Sequence, residues 1–273
     1  SYLHVKFKFY HLNMIINHGV RGSIPNASRK TVGYGGNTLC VEIKTSKYQL
    51  IFDCGSGFSK VDLDNDLQTI LFISHFHHDH IQGLAFNEYN SATDKKIIIT
   101  SAHSNKETTY NNLFNYYKAP YFPIKFLEIV NKFEFNEFDN VVHNFTDLKI
   151  NSIELNHPGL CSGYSIMSNQ KKFCYLLDNE FQSNQKDKLI KFCNNSETVI
   201  WDGMYLESEM ANKKGWGHSS IEQGIEIASQ IEVKNFLISH HAPQREDSEI
   251  DSLQKNLPSN KIKFASENEV IEF

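Results

Sequence analysis

Apolar, β-type runs in this chain keep ending one or two steps before a histidine or an aspartate. Ser74 precedes His75, Leu155 lies just before His157, Leu177 precedes Asp178, Trp201 precedes Asp202 and Ser239 precedes His240. Random placement would not repeat that offset. In α/β sheets, sites assemble at strand ends that share one edge, so the pattern calls for strands pointing the same way. The runs predicted as strands are 48–52, 69–74, 96–100, 148–155, 172–177, 198–201 and 234–239, with another beginning at Met14.

Helical periodicity is interleaved with these runs. In "SSIEQGIEIASQI", Ile221, Ile225, Ala228 and Ile231 share one face, and Ser219 or Ser220 can cap the N-terminus. The stretch "QSNQKDKLIKFCNN" predicts a second, shorter helix. Such a mixture places the chain in the α/β or α+β class. Its 273 residues suffice for one large domain, and no repeat or linker divides them. Residues 14–273 are read as that domain, and the basic and aromatic residues 1–13 as an N-terminal extension or upstream remnant.

Charge and cysteine usage narrow the class further. A net charge of −5 without a long basic tract argues against a dedicated nucleic-acid surface. The five cysteines form no CxxC pair and read as reduced thiols, so a cytoplasmic location is expected. No apolar run reaches the length of a membrane span, and the opening residues do not read as a signal peptide, so no membrane partner is expected.

The densest chemistry is His75-Phe76-His77-His78-Asp79-His80, which contains HxHxDH. Imidazoles two apart on extended backbone point to the same side, so His75 and His77 can clamp one ion. Asp79 and His80 follow at the turn and can reach a second. Imidazole nitrogens with carboxylate oxygens suit borderline divalent metals, zinc first and manganese or iron next.

"SHFHHDH", with "LNHPG", "YLLDNE" and "ISHHAP", resembles the metallo-β-lactamase-fold hydrolases. The added pieces "GVRGSIP", "YGGNT", "APYFPI" and "GWGHSS" resemble the phosphodiesterase branch, near tRNase Z and the cyclic-nucleotide phosphodiesterases. The resemblance implies a four-layer αββα sandwich holding two divalent metal ions. It assigns His75, His77 and His157 to one ion and Asp79, His80 and His240 to the other, with Asp178 bridging. His240 competes with His241 and is preferred because it directly follows the strand; His78 falls at a spacer position. Asp53 and Asp202 are candidate acceptors for the free N–H of ligating imidazoles.

Two ions held close together can lower the pKa of a shared water to give a bridging hydroxide, and can neutralise a phosphodiester's oxygens. Asp79 and His218 are the expected catalytic residues, with His218 as general acid near the leaving group. Arg21, Asn37 and His218 are expected to contact substrate, and the aromatic residues Tyr116, Tyr117, Tyr121 and Phe122 suit base stacking, core packing or a lid. The function implied is a phosphodiesterase acting on a small nucleotide, cyclic nucleotides included. The alternatives are a tRNA 3′-end endonuclease, whose long Gly-rich and basic arm is not seen here, and a thioesterase or lactonase on the same scaffold. A non-catalytic binding protein is disfavoured because all the expected ligand positions are filled. A homodimer is the expected assembly.

Overall fold

The computed structural model describes residues 13–87, 95–123, 128 and 130–272. Of the expected extension 1–13 only Asn13 lies inside that range; its buried amide donates to Ser168 Oγ at 2.9 Å. The strands are β1 (Met14–Gly19), β2 (Cys40–Lys44), β3 (Tyr48–Phe52), β4 (Gln68–Phe72), β5 (Ile97–Thr100), β6 (Phe133–Phe135) and β7 (Leu148–Leu155). They continue as β8 (Cys161–Ser168), β9 (Lys171–Leu176), β10 (Ser196–Asp202), β11 (Val233–Ser239), β12 (Ile262–Phe264) and β13 (Val270–Glu272).

Among the described residues these strands form a seven-stranded sheet, ordered β13-β1-β2-β3-β4-β5-β6, and a six-stranded sheet, ordered β12-β11-β10-β9-β8-β7. Pairs β3–β4, β4–β5 and β5–β6 are parallel in the first, as are β9–β10, β10–β11 and β11–β12 in the second.

Side-chain alternation turns the two sheets into four layers. Ile70 and Phe72 of β4 enter one apolar cluster, while Leu71 and Ile73 enter another. In the second sheet, Phe173, Tyr175 and Ile200 join that first cluster, while Cys174, Leu176, Val199 and Trp201 face a third. The shared cluster fills the space between the sheets, and the other two seat helices on the outer faces. Strands buried on both faces read as unbroken apolar runs, which is why the longer parallel ones were legible and the three-residue β6 and β12 were not. The result is the αββα sandwich expected from the sequence.

The helix over Ile221–Ser229 forms where its periodicity placed it, and Ser220 caps it, its side chain accepting from Gln223 N at 3.1 Å. Gly224 lies against Trp201, where a Cβ would approach the indole to 2.7 Å. The second expected helix shortens to Lys186–Cys193 behind a single turn at Ser183–Gln185. Strands β2, β6, β8, β12 and β13 and the helices Lys106–Tyr116, Phe138–His143 and Asp247–Lys255 escape the sequence pattern. Strand β8 is rich in serine, yet Tyr164 and Ile166 point it into the central cluster. The helix Lys106–Tyr116 has a Thr- and Asn-rich sequence of low helix propensity; Asn105 caps it by accepting from Thr108 N at 2.8 Å, and Leu113 anchors it to the sheet.

Phe52 sits at the centre of the inter-sheet layer, with ring centroids 5.2 Å from Phe72 and 5.5 Å from Tyr175. Phe52→Ala should therefore cost about 3–5 kcal/mol in urea unfolding, the usual range for emptying an aromatic site in a core. Met167, 41 % exposed on β8, is the control: Met167→Ala should cost no more than about 0.5 kcal/mol. Equal losses at the two positions would contradict this layering.

Candidate metal centre

Strand ends deliver the site residues, and three of them turn the backbone sharply to do so. Asp53 follows β3, Asp178 follows β9 by two residues and His240 follows β11, with φ values of 59°, 61° and 61°. The left-handed region costs a residue with a Cβ about 1–2 kcal/mol, so the surrounding packing must hold each turn in place. His75 and His77 extend beyond β4, and His157 stands two residues past β7. A short helix, α1 (His78–Ile81), then presents Asp79 and His80 inward, both buried.

Asp178 is the hub. Its Oδ2 lies 3.6 Å from His75 Nε2 and 3.5 Å from His157 Nε2, and His157 Nε2 meets His77 Nδ1 at 2.9 Å. Its Oδ1 lies 3.0 Å from His80 Nε2 and 3.2 Å from His240 Nε2. Asp79 Oδ2 completes this second group, 3.3 Å from His240 Nε2 and 3.5 Å from His80 Nε2. One carboxylate thus faces two sets of nitrogen and oxygen donors, one on each oxygen.

An outer layer of acceptors fixes the rings. Asp53 Oδ2 stands 2.7 Å from His80 Nδ1 and also accepts from Ser74 Oγ and Tyr175 OH, each at 2.7 Å. Gly217 O accepts from His157 Nδ1 at 2.8 Å. Ser23 N donates to Asp79 Oδ2 at 2.7 Å. Asp202 Oδ2 holds His218 Nδ1 at 2.9 Å, which leaves Nε2 as the free nitrogen of that ring. This is the orientation a proton-transferring histidine needs. Asp202 stands 4.0 Å from His240 Nδ1, beyond hydrogen-bonding distance, so it serves His218 first.

Glu180 is a loop-holding residue beside the cluster that sequence reasoning missed. Its carboxylate accepts from Gly215 N at 2.7 Å and from Gly217 N at 3.0 Å. It thereby pins the loop that carries both the acceptor for His157 and His218 itself. "YLLDNE" contains it, but nothing local marks a carboxylate whose partners lie 35 and 37 residues away.

The donor set fits divalent cations. Nε2 of His75, His80 and His240 and Oδ1 of Asp178 are buried without a hydrogen-bond partner among the described residues. His80 Nε2 and Asp178 Oδ1 are near enough to attract at 3.0 Å, yet they are not aligned to bond. Buried polar atoms are costly unless paired, and a cation at the convergence of these nitrogens and oxygens pairs them at once.

Protonation preferences divide along the same line. Burial pushes His75, His77 and His157 below the usual imidazole range, which keeps their nitrogens free to ligate. Burial alone would also lower His80 and His240, but the carboxylates of Asp178 and Asp79 outweigh it. His80 is raised well above its usual value and His240 to about 9. Burial would raise Asp178, whereas His240, His80 and His75 hold its carboxyl well below the usual carboxylate range.

Other expected residues fall elsewhere. His241 is buried outside the cluster, its Nε2 2.8 Å from Ala265 O, and burial pushes it down to about 3. His78 is exposed and bonds Tyr116 OH instead of the cluster. Arg21 is a correction: its guanidinium is fully buried and donates to Gly35 O, Ala242 O and Arg245 O, so it ties loops together and is not available to substrate. Asn37 is similarly engaged, its amide donating to Glu267 and accepting from Ser56 Oγ. The glycines flanking both residues read as a phosphate loop, but tertiary packing uses their polar groups to join the N-terminal loop to the C-terminal strands.

Comparisons with known proteins agree with this fold. The family model of the beta-lactamase superfamily domain matches residues 50–241. By sequence, the chain is 24 % identical to Ribonuclease Z of Thermoplasma acidophilum, over 86 % of this chain and 88 % of that protein. In structure it is similar to the metallo-beta-lactamase fold protein YhfI from Bacillus subtilis, with a TM-score of 0.72 at 17 % identity over 96 % of this chain and all of the other. It is also similar to a diphosphatase from the PhnP family, with a TM-score of 0.69 at 15 % identity over 96 % and 97 % of the two chains. With its sandwich, its strand-end cluster and a family match over most of its length, the chain belongs to the beta-lactamase superfamily and is a hydrolase of the metallo-β-lactamase fold.

Proposed function

We propose that this hydrolase is a phosphodiesterase of small nucleotides, cyclic nucleotides included, and that it works with two divalent cations, zinc first among them. The observation that carries the reading is the divided environment of Asp178 beside the His218–Asp202 pair. His75, His77 and His157 would hold one ion with Oδ2 of Asp178. Asp79, His80 and His240 would hold the other with Oδ1. Such ions, when bound, supply the positive charge that activates water and offsets the phosphate oxygens.

The chain's own groups do the rest. Asp202 keeps His218 in one orientation, so that its Nε2 can give a proton to the departing sugar oxygen. Glu180 fixes the loop on which that imidazole is mounted. Ser23 N holds Asp79 through its Oδ2. The resemblance to Ribonuclease Z supports a second reading, a tRNA 3′-end endonuclease. The net charge of −5 and the lack of a long basic insertion in the sequence favour the small substrate. Hydrolysis assays of metal-loaded protein with cyclic nucleotides, bis-p-nitrophenyl phosphate, precursor tRNA and an acyl thioester test the choice. Turnover of precursor tRNA alone favours the endonuclease, and of the thioester alone overturns both.

His218→Ala should separate substrates by leaving group. A sugar alkoxide leaves poorly without a proton, so the loss there should be about 10²–10⁴-fold. A p-nitrophenolate leaves unaided, so bis-p-nitrophenyl phosphate should suffer far less, with metal content unchanged. Equal losses on both would remove His218 from the role of acid.

Metal removal should expose a pH dependence. A raised folded-state pKa contributes stability that is complete below the unfolded value, near about 6.5 for histidine, and is lost as pH rises through the folded value. For His240 that window ends at about 9. Chelator-treated protein should therefore lose thermal stability between pH 6.5 and 9 more steeply than metal-loaded protein, whose imidazoles are already neutral ligands. Parallel melting curves across this range would contradict the assignment of His240.

A further inference from the structure

Next to the metal-facing residues, α1 and the end of the helix Lys106–Tyr116 enclose a cavity of about 580 Å³. That volume falls within the usual range for small-molecule sites. Tyr116, Tyr117, Phe122 and Phe86 line it. Their rings meet edge to face: Tyr116–Tyr117 at 4.7 Å, Tyr117–Phe122 at 4.8 Å and Phe86–Phe122 at 5.8 Å. Tyr117 is fully buried and belongs to the core, whereas Phe86 is 62 % and Tyr121 80 % exposed.

Two observations connect the cavity to the reaction. His78, which lines it, stands between His77 and Asp79, and Tyr116 OH bonds the His78 ring from the cavity side. His77 and His78 are consecutive and both exposed, so one chain step separates the cavity lining from the metal-facing cluster. Two amides also line the cavity. Gln82 donates to Thr38 Oγ1 at 2.9 Å, which leaves its carbonyl oxygen as an acceptor; Asn115 accepts from Lys118 Nζ at 2.7 Å, which leaves its NH₂ as a donor. None of the lining residues is a carboxylate or a primary amine.

We infer that this cavity is a nucleobase subsite, in which the base of a phosphodiester stacks on the Tyr116, Tyr121, Phe122 and Phe86 rings and presents its edge to Gln82 and Asn115. The inference rests on the phosphodiesterase reading for its link to turnover. A base combines a flat π face with alternating donors and acceptors at its edge, which matches aromatic walls with one amide donor and one amide acceptor. An acyl chain would use the walls and leave the amides idle. An anionic headgroup would meet His78 and the Lys118 ammonium bonded to Asn115 but leave the aromatic walls unused, and a cationic one would find no carboxylate among the lining residues.

The test compares two esters with the same leaving group on zinc-loaded protein: thymidine 5′-(p-nitrophenyl phosphate) and methyl p-nitrophenyl phosphate. Wild type should prefer the nucleoside ester. The double variant Phe86→Ala/Tyr121→Ala changes two exposed rings outside the metal-facing cluster, so folding should survive. It should lose roughly 10-fold in kcat/KM on the nucleoside ester, the scale of one base–aromatic stack, and less than about 2-fold on the methyl ester. Equal effects on both esters, or no preference in wild type, would overturn the subsite. Should neither ester turn over, the phosphodiesterase reading fails, and calorimetric titration with thymidine alone decides the subsite separately. Saturable binding that weakens in the double variant upholds it; absent binding, or binding the variant leaves unchanged, overturns it.

Discussion

The burial of the Asp178 carboxylate among five imidazoles governs the rest of the structure. Asp178 is 1 % exposed; Oδ2 faces ring nitrogens of His75, His157 and His218, and Oδ1 those of His80 and His240. A buried anion with misaligned neighbours is expensive to maintain, and a fold keeps such a group when a ligand resolves it. Here the resolution consistent with both halves of the cluster is positive charge on each side of the carboxylate. The raised His80 and His240 supply part of that charge as protons in the metal-free fold. Divalent cations can replace those protons, which couples metal uptake to pH.

Everything around Asp178 serves to aim side chains at it. The αββα layering buries strands on both faces, so their ends are the first places where polar residues can sit. Parallel pairing in both sheets brings those ends to one edge, and left-handed turns at Asp53, Asp178 and His240 swing three side chains inward. Asp53 then supports His80 while being held by Ser74 and Tyr175, so a central-layer residue and a site residue share one carboxylate. Glu180 does the same for the loop bearing His218. The catalytic edge is thus an extension of the core packing and inherits its rigidity.

What the sequence revealed follows from where the physics is local. His75, His157, Asp178 and His240 stood out because each lies one or two steps past an apolar run, whereas His77, Asp79 and His80 were legible through the HxHxDH motif and its resemblance to the family. His240 was preferred over His241 because it directly follows the strand, as the ligand does in the resembling family, and the structure places only His240 in the cluster. Strand β8 and the helix Lys106–Tyr116 were not legible: their serines, threonines and asparagines carry weak intrinsic preferences, and packing decides them. Arg21 misled because a charged residue among glycines suggests anion binding, and only tertiary contacts reveal carbonyls filling its guanidinium. The aromatic residues 116–122 had three open readings, and the structure divides them, with Tyr117 in the core and Tyr121 at the surface.

The proposed joining of two cation sites through Asp178 is open to direct measurement. Elemental analysis of gently purified protein, beside its Asp178→Asn variant, tests it most directly. Asparagine keeps the shape of the side chain and removes the charge that both donor sets share. Two joined sites should give close to two equivalents of zinc, manganese and iron together in the wild type, and loss of metal from both sites in the variant. One reproducible equivalent that added metal does not raise, or an Asp178→Asn protein that keeps the wild-type content, would contradict it.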